Sequence, residues 1–438
     1  MTGALITVLI VALHALLALR PPLPRYSTPF NLQFAFGWWI NEIPGFGLYW
    51  LLSSTTAVLQ LRADSPVWWM VVVIGLLDVA VLVQLGLRMR FARAVLTAAL
   101  AEAFGPGRAP RYSRPVWWRV LLAPFISWRP DVRRIANRQY GPGRGRRIDL
   151  YVSRRAQAIS RSGRSGWSGR SREPRAEAPV LLYLHPGGFR IGNKMLGGKP
   201  LLYRLAAQGW VVASADYRLF RADYADQLAD TRAALAWLRE NAGVHGGDPE
   251  EVFLAGGSAG AHLAATVALG GDEVAGVIGF YGYYGSVGPL PGRRSPQQCL
   301  NPAAPPFLIV HGEVDTLVRY EDARAFAEDL RAVSRQPVAY AEVPGMHHNF
   351  DFFQSPRFSA VMDTVERFAE LVLARRARIE AVLDDKALHH DRPAGRPLAA
   401  ALPANDGSGE ADVEVGGSTS AIHPATSWVS GPSGSGKG

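Results

Sequence analysis

EVFLAGGSAGAHLAATVAL, residues 251–269, decides the fold. Val252-Phe253-Leu254-Ala255 is a short apolar run that reads as a buried strand, and Ala261 to Leu269 begins an alanine-rich helix directly after Gly256-Gly257-Ser258-Ala259-Gly260. Strand, glycine turn and helix is the setting that a G-x-S-x-G motif needs. The turn is so tight that the residues two either side of the serine must be small, which leaves Ser258 Oγ exposed at a sharp apex as a candidate nucleophile. A chain with 45 glycines can produce this pattern by chance. Its weight therefore comes from the flanks and from three partners elsewhere in the chain.

From Ala178 onward apolar strands alternate with helices. PVLLYLHPGG (179–188), WVVASADYR (210–218), VAGVIGFYG (274–282), PPFLIVHGE (305–313) and PVAYAEVPG (337–345) read as strands. The stretch from Tyr224 to Asn241, EDARAFAEDLRAVSR (321–335) and SPRFSAVMDTVERFAELVLARRAR (355–378) read as helices. This alternation predicts an α/β fold, a doubly wound, mostly parallel sheet covered on both faces, with sites gathered at the carboxyl ends of its strands. Three partners fall at such ends. His185-Pro186-Gly187-Gly188 offers glycine N–H groups that can converge on an oxyanion, joined by the N–H of Ala259 after the serine. His311-Gly312-Glu313-Val314-Asp315 places Asp315 at a strand tip, and Gly345-Met346-His347-His348-Asn349-Phe350 offers imidazole. The order Ser258, Asp315, His348, with separations of 57 and 33 residues, is the chain order of one hydrolase architecture. Glu313 is the rival acid, but two residues earlier it falls back along the strand. His262 and His185 read as structural, and Tyr281, Tyr283 and Tyr284 fit pocket wall and ordinary packing equally.

Over about residues 140–376 the chain resembles the α/β-hydrolase fold and, within it, the hormone-sensitive-lipase-like carboxylesterases and lipases. DYRLF (216–220), ADQLADTRAALAWLRENAGVHGGDPEEVFLAGGSAGAHLAA (225–265) and the three catalytic stretches carry the resemblance. It implies a Ser258, Asp315, His348 triad, with His348 rather than His347 as the base because it precedes x-Phe. It also implies an oxyanion hole of Gly187, Gly188 and Ala259. Pro186 departs from the family's first loop glycine, and Gly257 stands where many members have Asp. By this chemistry His348 takes the Ser258 proton during attack on an ester carbonyl, Asp315 orients the imidazolium, and water hydrolyses the acyl-enzyme. No metal or organic cofactor is implied. The single Cys299 has no metal-ligand pattern around it, and Gly431 to Lys437 mimics a phosphate loop without the strand, Ser/Thr or helix that one needs.

The rest of the chain points to a bilayer. Ala4 to Leu19 is almost wholly apolar, and residues 43–61 and 66–87 are further apolar stretches, the last with Trp68 and Trp69 at one edge. We expect residues 1–90 to be an anchor of about three transmembrane helices. Arg20, Arg25, Arg88, Arg90 and Arg93 then put the amino terminus outside and the catalytic domain in the cytoplasm of a multi-pass cell-membrane protein. Asp78 and His14 must face other helices.

Residues 91–139, with Trp117, Trp118 and Trp128 among arginines, read as a basic juxtamembrane segment on anionic headgroups rather than a nucleic-acid surface, since no binding motif accompanies the charge. Residues 140–376 form the catalytic domain, with an Arg/Ser/Gly-rich solvated insertion at 153–178, and 377–438 a disordered tail. The expected function is a membrane-anchored serine carboxylesterase or lipase acting on a lipophilic ester, with no nucleic-acid partner. The alternatives are isoprenylcysteine methylesterase-like or acyltransferase activity and, in another class, a catalytically silent membrane scaffold. The sequence does not set the oligomeric state.

Overall fold

The computed structural model describes residues 2–19, 32–59, 65–155, 178–219, 222–286 and 295–390. The chain divides into two units, Met1–Val382 and Leu383–Gly438, and all eight described strands lie in the first. These are β1 (Val132–Gln139), β2 (Arg147–Ser153), β3 (Ala178–Leu184), β4 (Val211–Ala215), β5 (Gly247–Gly257), β6 (Gly276–Phe280), β7 (Phe307–Gly312) and β8 (Val338–Val343). They form one sheet in the order β1-β2-β4-β3-β5-β6-β7-β8. β1 and β2 pair antiparallel, as do β2 and β4; every other pairing is parallel.

Alternate residues of each strand enter different cores. Leu181, Tyr183, Phe253, Ile278 and Leu308 face one side with α5 (Phe91–Phe104), α7 (Lys199–Ala207) and α11 (Pro356–His390). Leu182, Leu184, Leu254, Val277 and Ile309 face the other with α8 (Tyr224–Ala242), α9 (Ala259–Leu269) and α10 (Tyr320–Val333). A parallel sheet covered on both faces explains why its strands read as continuous apolar runs. All eleven residues of α9 are buried, which its alanines permit by letting the helix sit close on the sheet.

Residues 91–139 differ from the sequence expectation. Ala92, Leu96, Ala99 and Leu100 recur at helical spacing on α5 and are buried against β8, so this helix is part of the sheet's own core. β1 starts the sheet eight residues before 140. It is an edge strand with mainly exposed, arginine-rich positions, so no alternation betrayed it; a bulge at Ile135/Arg138 contains Asn137 at φ 57°. The 153–178 insertion lies outside the described residues except at its ends. α11 continues to His390, past the point where order was expected to fade, and 391–438 lie outside the described residues.

The N-terminal helices α1 (Thr2–Leu19), α2 (Leu32–Glu42), α3 (Pro44–Leu59) and α4 (Pro66–Arg88) have their own apolar core of Val8, Val11, Ile40, Leu51, Val71, Leu82 and Leu85. A Cβ on Gly75 of α4 would touch Val8, one on Gly37 of α2 would touch the Leu17 backbone, and one on Gly47 of α3 would touch Ile40 and Leu82. Hence α1 and α4 run the same way, α3 runs against them, and α2 crosses their carboxyl ends. α1 and α4 are long and apolar enough to cross a membrane. α3 has 16 residues, about 24 Å of helix, and by itself falls short of a hydrocarbon core of about 30 Å. Asp78 is buried inside the bundle, and the His14 ring meets Phe36 and Trp39 edge-on, so both polar residues turn toward other helices.

If α5 is core, Leu96→Ala should destabilise the full-length protein by about 2–5 kcal/mol, through lost transfer energy and a residual cavity. Denaturant unfolding followed by tryptophan fluorescence measures this. An unchanged midpoint would return α5 to a peripheral position.

Candidate active site

Ser258 sits at φ 51°, ψ −116°, between β5 and α9. Its N–H donates to Phe280 O (2.9 Å), and its carbonyl accepts from His262 N–H (3.1 Å). A Cβ on Gly256 would collide with the Gly260 carbonyl, and one on Gly260 would collide with Leu184 O. Both small residues are thus required by close backbone approach, as the motif implies. The same approach brings the start of α9 against the end of β3, where the His185–Gly188 loop begins.

That loop turns at Gly187 (φ 144°), whose carbonyl accepts from the N–H groups of Arg190 (3.1 Å) and Ile191 (3.0 Å). A Cβ at Gly187 would overlap Ile191 O, so the turn admits no side chain there. The N–H groups of Gly187, Gly188 and Ala259 have no hydrogen-bond partner among the described residues. His185 is held beneath the loop, stacked on Tyr217 at 4.2 Å, with Nδ1 2.8 Å from Pro186 O. Burial lowers its imidazole to about 4. His262 bridges Tyr224 Oη (2.8 Å) and Tyr283 O (2.8 Å), and burial likewise lowers it to about 4. Both are structural.

Asp315, in the turn after β7, brings its Oδ2 to 2.7 Å from His348 Nδ1 and 3.1 Å from His311 Nε2. Its Oδ1 accepts from the N–H groups of Leu317 (2.8 Å) and Val318 (2.9 Å). Burial pushes the carboxyl up, but the His348 and His311 imidazoles outweigh it and hold Asp315 well below the usual carboxylate range. His347 points elsewhere: Nε2 is 3.2 Å from Thr316 Oγ1, and Nδ1 accepts from the His348 N–H (2.7 Å). Burial lowers it to about 4. Glu313 Oε2 accepts from Gly345 N–H (2.9 Å), a loop contact away from both histidines. The Tyr281 ring lies 4.4 Å from that of His348, and Tyr281 follows Phe280, the residue that receives the Ser258 N–H. Asp315 and His348 are therefore joined directly. Ser258 shares the Phe280–Tyr281 corner with His348, and no hydrogen bond joins its hydroxyl to the imidazole in this structure. Such bonds are often long before substrate binds.

The family model described as BD-FAE matches residues 170–282. "Probable carboxylic ester hydrolase LipM" of Mycobacterium tuberculosis is 30% identical over 423 residues, covering 85% of this chain and 94% of that protein. The chain belongs to the α/β-hydrolase carboxylic ester hydrolases. "Esterase LipQ" of the same bacterium is 31% identical over 331 residues, covering 64% of this chain and 75% of that one. A "Probable isoprenylcysteine alpha-carbonyl methylesterase ICME" of Oryza sativa subsp. japonica is 34% identical over 131 residues, 30% of this chain and 27% of that protein.

Two features of this hydrolase escape a reading of its sequence. The first is Asp351, fully buried, which accepts from Tyr183 Oη (2.6 Å), Tyr281 Oη (2.5 Å) and Gly198 N–H (2.8 Å). This fixes the Tyr281 ring beside His348. A Cβ at Gly257 would strike the Tyr281 hydroxyl, which accounts for glycine where many relatives have Asp. The second is a brace from α2. Glu42 Oε1 accepts from His347 N–H (3.3 Å) and Arg357 Nη1 (3.4 Å), Oε2 accepts from Ser355 Oγ (3.4 Å), and Asn41 Nδ2 donates to Gly345 O. Arg357 Nη1 also donates to Asn41 O (2.9 Å), and the Phe34 ring approaches both histidines. Nothing local marks Glu42, because its partners lie about 300 residues away. Its one signal is a carboxylate abutting an apolar stretch.

The Glu42–Arg357 pair is wholly buried. Glu42→Ala leaves Arg357 buried without its counter-charge and should cost about 3–5 kcal/mol, most of which Arg357→Met recovers in the double variant. Thermal denaturation of the four proteins checks this, and additive losses would show that the two residues do not interact. A further expectation concerns acid. His185, His262 and His347 lie at about 4 when folded against an ordinary 6.5, so the unfolded chain takes up their protons first. Their stabilisation is complete above 6.5 and is lost as pH falls toward 4, at roughly 1.4 kcal/mol per pH unit for each. Melting temperature should drop across that window, with a shallower drop in His262→Gln; equal slopes would refute a neutral buried His262.

Proposed function

We propose that this carboxylic ester hydrolase cleaves lipophilic esters at a membrane through Ser258, His348 and Asp315. Gly187, Gly188 and Ala259 N–H groups receive the oxyanion. The observation that carries the reading is the 2.7 Å contact between the ionised Asp315 carboxylate and His348 Nδ1. It holds the imidazole with Nδ1 protonated, leaving Nε2 free to accept the Ser258 proton and pass it to the leaving alcohol. The unpartnered amides support the oxyanion role, because they are already oriented and need not break other bonds when charge develops. Each such donor is worth about 3–4 kcal/mol in serine hydrolases.

The outer surface of the N-terminal bundle supports the membrane. Leu13 and Leu16 of α1 and Val73, Leu76 and Leu77 of α4 point outward, with Leu16 64% and Leu76 66% exposed. In water so large an apolar face would be a liability; in a bilayer it is the matched surface. Trp117, in the same cleft lining as Leu87 and Arg90 at the carboxyl end of α4, is also exposed, as are Trp118, Phe125 and Trp128, and such rings suit the headgroup layer. Arg88, Arg90 and Arg93 at that end support a cytoplasmic hydrolase body, with α1 and α4 crossing the bilayer and the shorter α3 returning the chain between them. Ester substrates partition into the bilayer beside the site. The short match to the rice methylesterase makes isoprenylcysteine methyl ester a substrate to include in any screen.

A fluorophosphonate probe should label the wild-type protein and leave Ser258→Ala unlabelled. His348→Ala should lower kcat by about three orders of magnitude or more, and His347→Ala by about tenfold through loosening of the loop. Labelling of the Ser258 variant, or the reverse ranking of the histidines, would sink the assignment.

A further inference from the structure

A groove of about 720 Å³ lies between α3, α4, α5 and the short helix α6 (Trp117–Leu122), apart from the serine. It is of the size that encloses a drug-sized or acyl-chain ligand. Its walls are apolar, from Leu48, Leu82, Leu87 and Leu121, and Val83 and Leu87 belong both to the groove and to the exposed face of α4. The groove thus opens on the same side as the surface that we assign to lipid. Arg90, Arg93 and Arg114, all exposed, also line it. Arg93 donates to Ser113 O (3.2 Å) and lies over the Tyr112 ring, and Arg90 lies over Phe91. No carboxylate among the described residues forms an ion pair with any of the three. Glu42, also in the lining, is buried and already bound to Arg357, so it brings no free negative charge.

Three guanidinium groups without a carboxylate partner, in the lining of an apolar slot, are complementary to a phosphate attached to an acyl chain. We infer that this groove binds an acidic glycerophospholipid from the bilayer, its acyl chain along Leu48, Leu82 and Leu87 and its phosphate among Arg90, Arg93 and Arg114. This inference rests on the membrane reading above. A zwitterionic lipid fits the slot but neutralises the arginines less. Because Glu42 and Pro356 form part of the lining, the bound chain packs against the brace that ends on the His347–His348 loop.

The test uses the full-length protein in phosphatidylcholine nanodiscs. These carry equal traces of phosphatidylglycerol and phosphatidylcholine, each with a photoreactive diazirine on one acyl chain, and adducts are mapped by mass spectrometry. Phosphatidylglycerol adducts on α3, α4 and α6 should exceed phosphatidylcholine adducts by about tenfold or more. The triple variant Arg90→Gln, Arg93→Gln, Arg114→Gln should lose the preference. Gly86→Leu should lose the groove adducts of both lipids: a Cβ there meets nothing within 4 Å, so the added side chain fills the slot without disturbing α4. Equal labelling by the two lipids, or a preference that survives the variants, overturns the inference. Alkaline carbonate extraction of cell membranes separates the two readings. A chain that washes off overturns membrane anchorage and the lipid site together, whereas one that stays embedded but labels without preference overturns the lipid site alone.

Discussion

The contact between α9 and the end of β3 is the constraint on which the site depends. Gly260 lies so close to Leu184 O that no side chain could stand between them. That approach positions Ser258 at its positive φ, places the Ala259 N–H beside the glycine loop, and seals α9 against the sheet along its whole length. Backbone strain at a non-glycine residue costs of order 1–3 kcal/mol, and it persists only where the surroundings over-determine it. Here the surroundings are a fully buried helix, the Ser258 N–H bond to Phe280 O, and strands that pair on both sides of β5.

Electrostatics divides the polar residues around this turn into two kinds. Asp315 stays ionised although buried, because two imidazoles and two backbone N–H groups converge on its oxygens. His185, His262 and His347 are held neutral by burial, with partners that suit the uncharged ring. His348 differs from these three in facing the Asp315 carboxylate, which it shares with His311, and its ring lies against Tyr281. Asp351 adds a different device: burial raises its carboxyl, and two tyrosine hydroxyls with one amide satisfy it, which locks Tyr281 against the His348 ring.

The legible parts of the sequence were those in which the signal is local. Ser258, Asp315 and His348 each follow an apolar run that ends in small residues, so the strand tips and the polar residues just beyond them could be read together. β1 was hidden because an edge strand needs no apolar alternation when its outer positions are charged. α5 was hidden because arginines nearby drew a helix-sized apolar pattern into a membrane interpretation, although Ala92, Leu96, Ala99 and Leu100 carry the core spacing. Glu42 was hidden for a deeper reason. A carboxylate reveals its role through its partner, and Arg357 and the His347 N–H are joined to it only by tertiary folding.

That last contact changes what the N-terminal helices are for. A flexible tether would leave no buried polar pair at its junction with the enzyme, since burying two charges costs several kcal/mol per ion before their attraction is counted. Here the pair is buried and is shared with the loop that carries His347 and His348; Asn41 and Phe34 hold the same loop from the same helix. Burial raises Glu42 and lowers Arg357, so desolvation weighs on both, and the arrangement persists because Asn41 O, Ser355 and the His347 N–H add hydrogen bonds to it. Such an ion pair is weak support for stability, but together with the Asn41 and His347 hydrogen bonds it ties α2 to one position on the His347–His348 loop. The N-terminal helices are accordingly packed against the loop that carries His347 and His348, and α2 and that loop cannot move independently without breaking these contacts.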